Sequence, residues 1–348
     1  AASDVYKRQI EEIWYPKHLS LEQCSSEITA RYKARLFQGD SLTDLTGGFG
    51  IDCSFLATGF KSATYVERQE ELCEIAAHNF PILNLNHINV RNEDGVAYLQ
   101  TMSPVDCIFL DPARRNEHGG KTVAISDCEP NVAELEALLL SKANRVMIKL
   151  SPMLDLSLAL KELKHTQEIH ILSVNNECKE LLILLRQTSP AEIAIHCVNL
   201  LTKGTQEEQH LVFTREQEQR SQCTYTDSLG NYLYEPNASL LKAGAFRSIA
   251  AAYPVRKLHP NSHLYISDSF IENFPGRIFR IVNQCSFNKK EVKENLADLK
   301  KANVTVRNFP ATVAELRKRL HLTEGGDTYL FASTLNNGQK VIIRCEKV

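Results

Sequence analysis

The residues best suited to chemistry lie in the stretch Thr43-Asp44-Leu45-Thr46-Gly47-Gly48-Phe49-Gly50-Ile51-Asp52. An acidic residue at the end of a β-rich run, followed by three glycines and a helical pattern, makes a turn whose backbone can approach a ligand unobstructed. As a dinucleotide fingerprint the stretch falls short, because Cys53 stands where Gly or Ala is wanted after Gly48 and Gly50. Three further groups repeat the placement. Glu67 ends the next β-rich run, where a carboxylate can accept both hydrogen bonds of a ribose diol. Asp94 follows the third run, and Asp111-Pro112-Ala113-Arg114-Arg115 closes the fourth. Polar groups at the C-terminal ends of four successive parallel strands face one crevice, where open α/β sheets bind ligands. Each could separately be a cap or a turn residue; four in register point to a cofactor. Metal and disulfide chemistry find less support. Ten cysteines scatter from Cys24 to Cys345 without a CxxC, the histidines form no HExxH, and no metal is expected.

Those residues need a sheet to hold them. The runs 41–46, 62–67, 88–92, 105–111, 144–150 and 168–174 alternate with helical patterns such as 69–80 and 131–141. Such alternation predicts a parallel sheet with helices on both faces. Asn131 and Glu134 stand as cap and capping-box acid of the second of these helices. Before the first run, residues 20–37 read as a helix opened by a Ser20/Gln23 capping box and closed by Gly39. Periodicity leaves 178–187 open between buried strand and helix; a strand is favoured, followed by strands at 193–200 and 210–216. A helix over 238–252, capped by Asn237, precedes a final strand–helix–strand–helix–hairpin unit.

The composition bounds the answer. At 43% apolar and 24% charged, the 348 residues can bury cores, and the length suits two or three domains. A disordered chain is excluded. The longest apolar stretches, around Leu181 to Leu185, fall short of the ~20 residues that cross a bilayer. Lys7, Arg8, Glu11 and Glu12 stand where a secretory signal would be apolar, so a cytoplasmic protein without membrane contact is expected. The net charge of −2 conceals an asymmetry: from Phe270 onward there are 14 Lys or Arg against 8 Asp or Glu, leaving −8 on the rest. A basic appendage on an acidic body suits a polyanion, although on charge alone a solvated helix face is the better-supported reading.

From Ser41 to Leu200 the chain resembles the class I S-adenosylmethionine-dependent methyltransferases, through the four strand-end motifs in order. Over its whole length it resembles a bacterial group of these enzymes with a THUMP-like C-terminal domain. That resemblance lies in DLTGGFGID, FLDPARR, MIKLSP, YEPNASLLKAGAF and the ending from FNKKEV through GGDTYLFA to IIRCEKV. It implies an α/β fold: a Rossmann-like methyltransferase sheet with an N-terminal helical segment and a smaller C-terminal α+β domain. The expected divisions are 1–38 helical, 39–200 cofactor-binding, 201–270 a β-rich and helical extension, and 271–348 the basic THUMP-like domain. The resemblance also implies S-adenosylmethionine as cofactor. Asp44 with the backbone of Gly47, Gly48 and Gly50 would hold its methionine part, Glu67 the ribose hydroxyls, and Asp94 the adenine amino group. Thr46, Phe49, Asp52, Arg68, Gly95 and Asp111 would complete that site. THUMP domains are associated with RNA binding, so a structured RNA, tRNA or rRNA, is the implied partner.

In related amino-methylating enzymes an Asn or Asp, two prolines and an aromatic follow the fourth strand; here Asp111 and Pro112 match, while Ala113 and Arg114 do not. Asp111, Pro112 and Arg114 are the catalytic candidates. Arg114 or Arg115 could stack on a base or pair with phosphate, or form only a salt bridge. Lys149 could contact phosphate or snorkel at a strand end. Asn237, Lys289, Lys290, Arg317, Lys318 and Arg319 are the remaining substrate-binding candidates. A DP-x-R sequence also resembles uridine C5-methyltransferases, which need a cysteine after the fifth strand; Lys149-Leu150-Ser151-Pro152 has none, which favours direct transfer to a base nitrogen. A small-molecule methyltransferase with a structural C-terminal module, a cofactor-binding RNA-binding protein without turnover, and more distantly an NAD-dependent oxidoreductase remain alternatives.

Overall fold

The structure is a computed structural model and describes residues 12–17, 24–115, 124–188 and 190–348. The chain divides into two compact units, Ala1–His196 with Leu200–Glu207, and Cys197–Asn199 with Glu208–Val348.

In the first unit β1 (Gly39–Asp44), β2 (Phe60–Glu67), β3 (Ile88–Asn92) and β4 (Val105–Leu110) are the four strands whose ends carry the candidate residues. A two-residue strand pair, β5 (Ala113–Arg114) and β6 (Cys128–Glu129), precedes β7 (Ala143–Leu150), β8 (Thr166–Val174), β9 (Glu177–Arg186) and β10 (Ala194–Leu200). The large sheet is ordered β10-β8-β9-β7-β4-β1-β2-β3 in this unit. From β3 to β7 every pair is parallel. β9 then runs antiparallel to both β7 and β8. Residues 178–187 were open between strand and helix by periodicity because both faces of the strand are covered: Leu181, Leu182, Ile183 and Leu185 are all fully buried. Order reverses between β1 and β4, which opens a crevice at their C-terminal ends.

Helix boundaries follow cap chemistry. The first described helix, Glu27–Leu36, starts where the Ser26 side chain accepts the Thr29 N–H, later than the sequence reading, whose Ser20/Gln23 box lies outside the described residues. Asn131 caps Val132–Lys142 as expected.

The second unit opens with β11 (Glu208–Phe213), after which Thr214 caps the short helix Arg215–Arg220, so the strand expected over 210–216 ends early. The strands β12 (Tyr232–Pro236), β13 (Arg256–Lys257), β14 (Tyr265–Ser267), β15 (Gly276–Ser286), β16 (Asn303–Val306), β17 (Thr328–Thr334) and β18 (Lys340–Lys347) follow. They form one sheet, ordered β13-β14-β12-β15-β18-β17-β16. The helix expected over 238–252 is two helices, Ala238–Ala243 and Phe246–Ala252, because Gly244 takes a left-handed φ of 70° and ends the first.

One sheet continues across the expected boundary at residues 270–271. β12 pairs antiparallel with β15 across it. Leu233, Leu258 and Ile266 share one core with Phe279, Phe331 and Ile343. The opposite face of the same sheet packs Leu330 and Ile342 against Leu296 and Leu316 of the two basic helices, Lys289–Leu296 and Val313–Leu320. The basic segment is therefore half of a sheet: one core is shared with Leu233, Leu258 and Ile266, and the other lies wholly within the segment.

Candidate active site

The crevice holds a cavity of about 650 Å³, within the range of small-molecule sites. Thr46, Glu67, Asp94 and Asp111 line it, one at or just beyond the end of each of the four strands, together with Arg68, Gly95, Arg114 and Arg115. Its apolar wall includes Val96, Leu99, Leu110, Pro130 and Leu135.

The loop after β1 is tied down from several sides. Thr46 donates through both its backbone N–H and its hydroxyl to Asp44 Oδ1, at 2.9 and 3.2 Å, and its hydroxyl accepts the Asp111 N–H at 2.7 Å. One hydroxyl thus joins the end of β1 to the end of β4. Glu67 is locked likewise: its two oxygens accept the N–H groups of Gly48 and Gln69, both at 2.9 Å. Each oxygen keeps a second lone pair, which suits a diol donating to both. Asp94 caps the helix Gly95–Thr101, Oδ1 accepting from Val96 and Ala97 at 3.0 Å each.

Two of the glycines, Gly47 and Gly50, make room for neighbouring rings. A Cβ on Gly47 would lie 2.3 Å from the Tyr65 ring, whose hydroxyl donates to Gly48 O. Gly50 has φ +86°, which begins the helix Ile51–Leu56. Neither Gly47, Gly48, Gly50 nor Asp44 is among the residues lining the cavity. Phe49 and Asp52 also turn away from it. Phe49 packs with Ile13, Ala30, Ile51 and Ile75. Asp52 joins an ion cluster described below.

Asp44 is 1% exposed, and its pKa is pushed up to about 8 by burial, with Asp52 and Asp111 adding to the rise against the Thr46 hydrogen bonds. At neutral pH it holds a proton. Pro112 is buried. Ala113 and Arg114 sit in β5, paired with β6, where Arg114 donates to Ser151 Oγ at 2.5 Å. Arg115 is exposed.

Lys149 required the largest correction. It neither snorkels nor reaches outward: it is 9% exposed and donates to Asp111 Oδ2 at 3.0 Å and to Ser25 Oγ at 3.1 Å. Asp52 and Glu180 lie 3.6 and 4.0 Å away. Beyond them the fully buried Lys33 contacts Asp52 at 3.0 Å and Glu180 at 2.6 Å. Two ammonium groups therefore face three carboxylates. Burial opposes charge on all of them, yet Asp52 is held below its ordinary pKa by Lys33 and Lys149. Lys149 is held well above its own by Asp111, Asp52 and Glu180. Asp111 is raised above its ordinary value, by burial first and by Asp52 and Glu180, against the lowering effect of Lys149. Sequence reasoning missed Lys33, Glu180 and Ser25; Glu180 lies far along the chain from the other two.

A second cluster lies at β8 and β10, where Glu168 Oε2 contacts His170 Nε2 at 3.3 Å and His196 Nε2 at 3.0 Å. Both imidazoles hold Glu168 far below the usual carboxylate range. The two rings stack at 4.2 Å and within 5° of parallel, so their lone pairs do not converge on one point as tetrahedral metal binding requires. His259 and His263 share a spacing of four, but His263 stacks on Phe246 at 3.7 Å and His259 Nδ1 accepts the Asn261 N–H.

Over 97% of its length the chain matches the solved structure of a "putative methyltransferase" from Porphyromonas gingivalis W83, at 38% identity, 85% coverage of that chain and a TM-score of 0.88. The chain belongs to this family of class I S-adenosylmethionine-dependent methyltransferases. Residues 232–275 match a ferredoxin-like domain family and residues 276–347 a THUMP domain-like family. An rRNA methylase from Streptococcus thermophilus is similar at 14% identity over 46% of this chain and 93% of its own, with a TM-score of 0.33. No curated protein matches the chain.

In this methyltransferase the substrate candidates of the second unit divide. Asn237 is 1% exposed, caps Ala238–Ala243 and donates to Gln209, so it is structural rather than substrate-facing. Arg317 pairs with Glu324 at 3.3 Å and Arg319 lies over the Phe287 ring at 5.5 Å. Lys289, Lys290 and Lys318 are exposed. No helix among the described residues is long and apolar enough to cross a membrane.

Proposed function

We propose that the protein binds S-adenosylmethionine in the crevice and transfers its methyl group directly to a base nitrogen of a structured RNA. The observation that carries this reading is the cavity in which Glu67, Asp94 and Asp111 converge with an apolar wall. The fit to the cofactor is chemical: Glu67 offers two fixed acceptors for the ribose, Asp94 would offer its carboxylate to an adenine amino group, and Val96, Leu99 and Leu135 suit a flat ring. When bound, the cofactor supplies an electrophilic methyl on a sulfonium.

The chain's own residues then have positioning tasks, which is where methyl transfer gains most of its rate. Lys149 fixes Asp111 Oδ2 and leaves Oδ1 for the hydrogens of an acceptor amine. Arg114, pinned by Ser151, supplies a flat cation beside Asp111 in place of the missing aromatic. The RNA part rests on the THUMP-like match and the exposed lysines of the second unit.

Two cysteines come within electrostatic reach of Asp111: Cys24, which sequence reasoning did not consider, and Cys128. Burial raises both thiols above their ordinary pKa, which disfavours the thiolate that attack on a uridine ring requires. The test is incubation of the protein with labelled S-adenosylmethionine and total RNA from a strain lacking it, followed by nucleoside analysis. A methylated amino or ring nitrogen is expected; label found only on small molecules would replace RNA as the substrate class.

A further inference from the structure

Asp111 is one of three carboxylates sharing two buried ammonium groups, and it differs from the others in exposure. Its side chain is 38% exposed, against 11% for Asp52 and 5% for Glu180. Of the three, it alone is among the residues lining the cavity. Lys33 binds Asp52 and Glu180 from one side, and Lys149 bridges from that pair to Asp111. Ser25 ties the arrangement together, accepting from both lysines and donating to Asp52 at 2.8 Å. The cluster's surplus negative charge therefore has one outlet toward the cavity.

We propose that Lys149 is a positioning residue that keeps Asp111 ionised and aimed into the cavity, so that the site selects acceptors presenting an N–H donor. This rests on the reading of Asp111 as the acceptor-facing group. Without the Lys149 ammonium, Asp111 would face Asp52 and Glu180 across the cluster, with Asp44 and the Cys24 thiol nearby, and would take up a proton. A protonated carboxyl can no longer serve as a charged acceptor for an amine. The apolar alternative at position 149 would thus change the site's chemistry while leaving the cofactor pocket in place.

The probe is a pair of cofactor analogues. S-Adenosylhomocysteine has no group where the methyl would be, whereas sinefungin carries a primary amine there, the kind of donor an ionised Asp111 would bind. Calorimetry on the full chain should give tighter binding of sinefungin, by about tenfold or more for a charge-assisted hydrogen bond. Asp111→Asn should abolish that preference. Lys149→Met should abolish it at neutral pH and recover it as pH rises, and Lys149→Arg should retain it. Glu180→Gln removes one carboxylate and should extend the preference to lower pH, which keeps the inference testable if Lys149→Met does not fold. Preference lost in Asp111→Asn but unchanged in Lys149→Met overturns the role of Lys149 alone. So does an unshifted pH range in Glu180→Gln where Lys149→Met is unfolded. No preference in the wild-type chain overturns Asp111 as the acceptor-facing group, and the inference with it.

Discussion

Replacing Asp44 by Asn should stabilise the protein, and by more as the pH rises. Folding buries this carboxyl and moves its pKa from 3.8 to about 8, so across that interval the folded chain holds a proton that the unfolded chain has released. Stability from this group is fully present below the unfolded pKa and is lost as pH rises through the folded one, at ~1.4 kcal/mol per pH unit. From about pH 5.5 to about pH 7.5 the loss is roughly 2 to 3 kcal/mol. Asn cannot ionise, and its carbonyl oxygen can accept the same two Thr46 hydrogen bonds. At roughly 2 to 4 °C per kcal/mol for a unit of this size, the variant's advantage in Tm should widen by roughly 5 to 10 °C over that window. Thermal melts of both proteins in matched buffers, without cofactor, measure it. Parallel pH curves for the two would mean that Asp44 is ionised in the folded state, and would refute the claim that burial keeps its proton.

Glu67→Ala should weaken S-adenosylmethionine binding by ~1.5 to 3 kcal/mol in calorimetry, since it removes a charged acceptor and frees the Gly48 and Gln69 N–H groups it holds. Gly47→Ala should destabilise by roughly 1 to 3 kcal/mol in denaturant unfolding, because the new methyl meets the buried Tyr65 ring and not a flexible chain end. RNA carrying 5-fluorouridine should form no adduct that survives a denaturing gel, because neither Cys24 nor Cys128 is favoured as a thiolate. RNA binding by the full chain should weaken with salt, by a slope of roughly −0.7 per phosphate contact on single strands; Lys289→Glu with Lys290→Glu should flatten it, whereas Arg317→Ala, removing a side chain already paired with Glu324, should change it little.

The strand-end motifs were legible because each is local: a strand, a turn and a polar residue at a fixed offset are properties of ten consecutive positions. Glu67 and Asp111 could be read in that way, and so could caps such as Asn131 and Asn237. What lay beyond reach was long-range. Nothing near Gly47 says that Tyr65 will fill the space beside it, and nothing near Phe270 says that β12 will pair across that point with β15. The ion cluster shows the same limit at its sharpest. Lys33 and Glu180 are 147 positions apart, and each alone resembles a solvent-facing charge on its element. Their cost appears only on folding, when desolvation must be met by partners from other elements. A buried cluster with one more carboxylate than ammonium is a poor device for stability alone, since breaking even on desolvation calls for complete pairing. Its surplus falls on the member that reaches the cavity, which is where an unbalanced charge has something to bind.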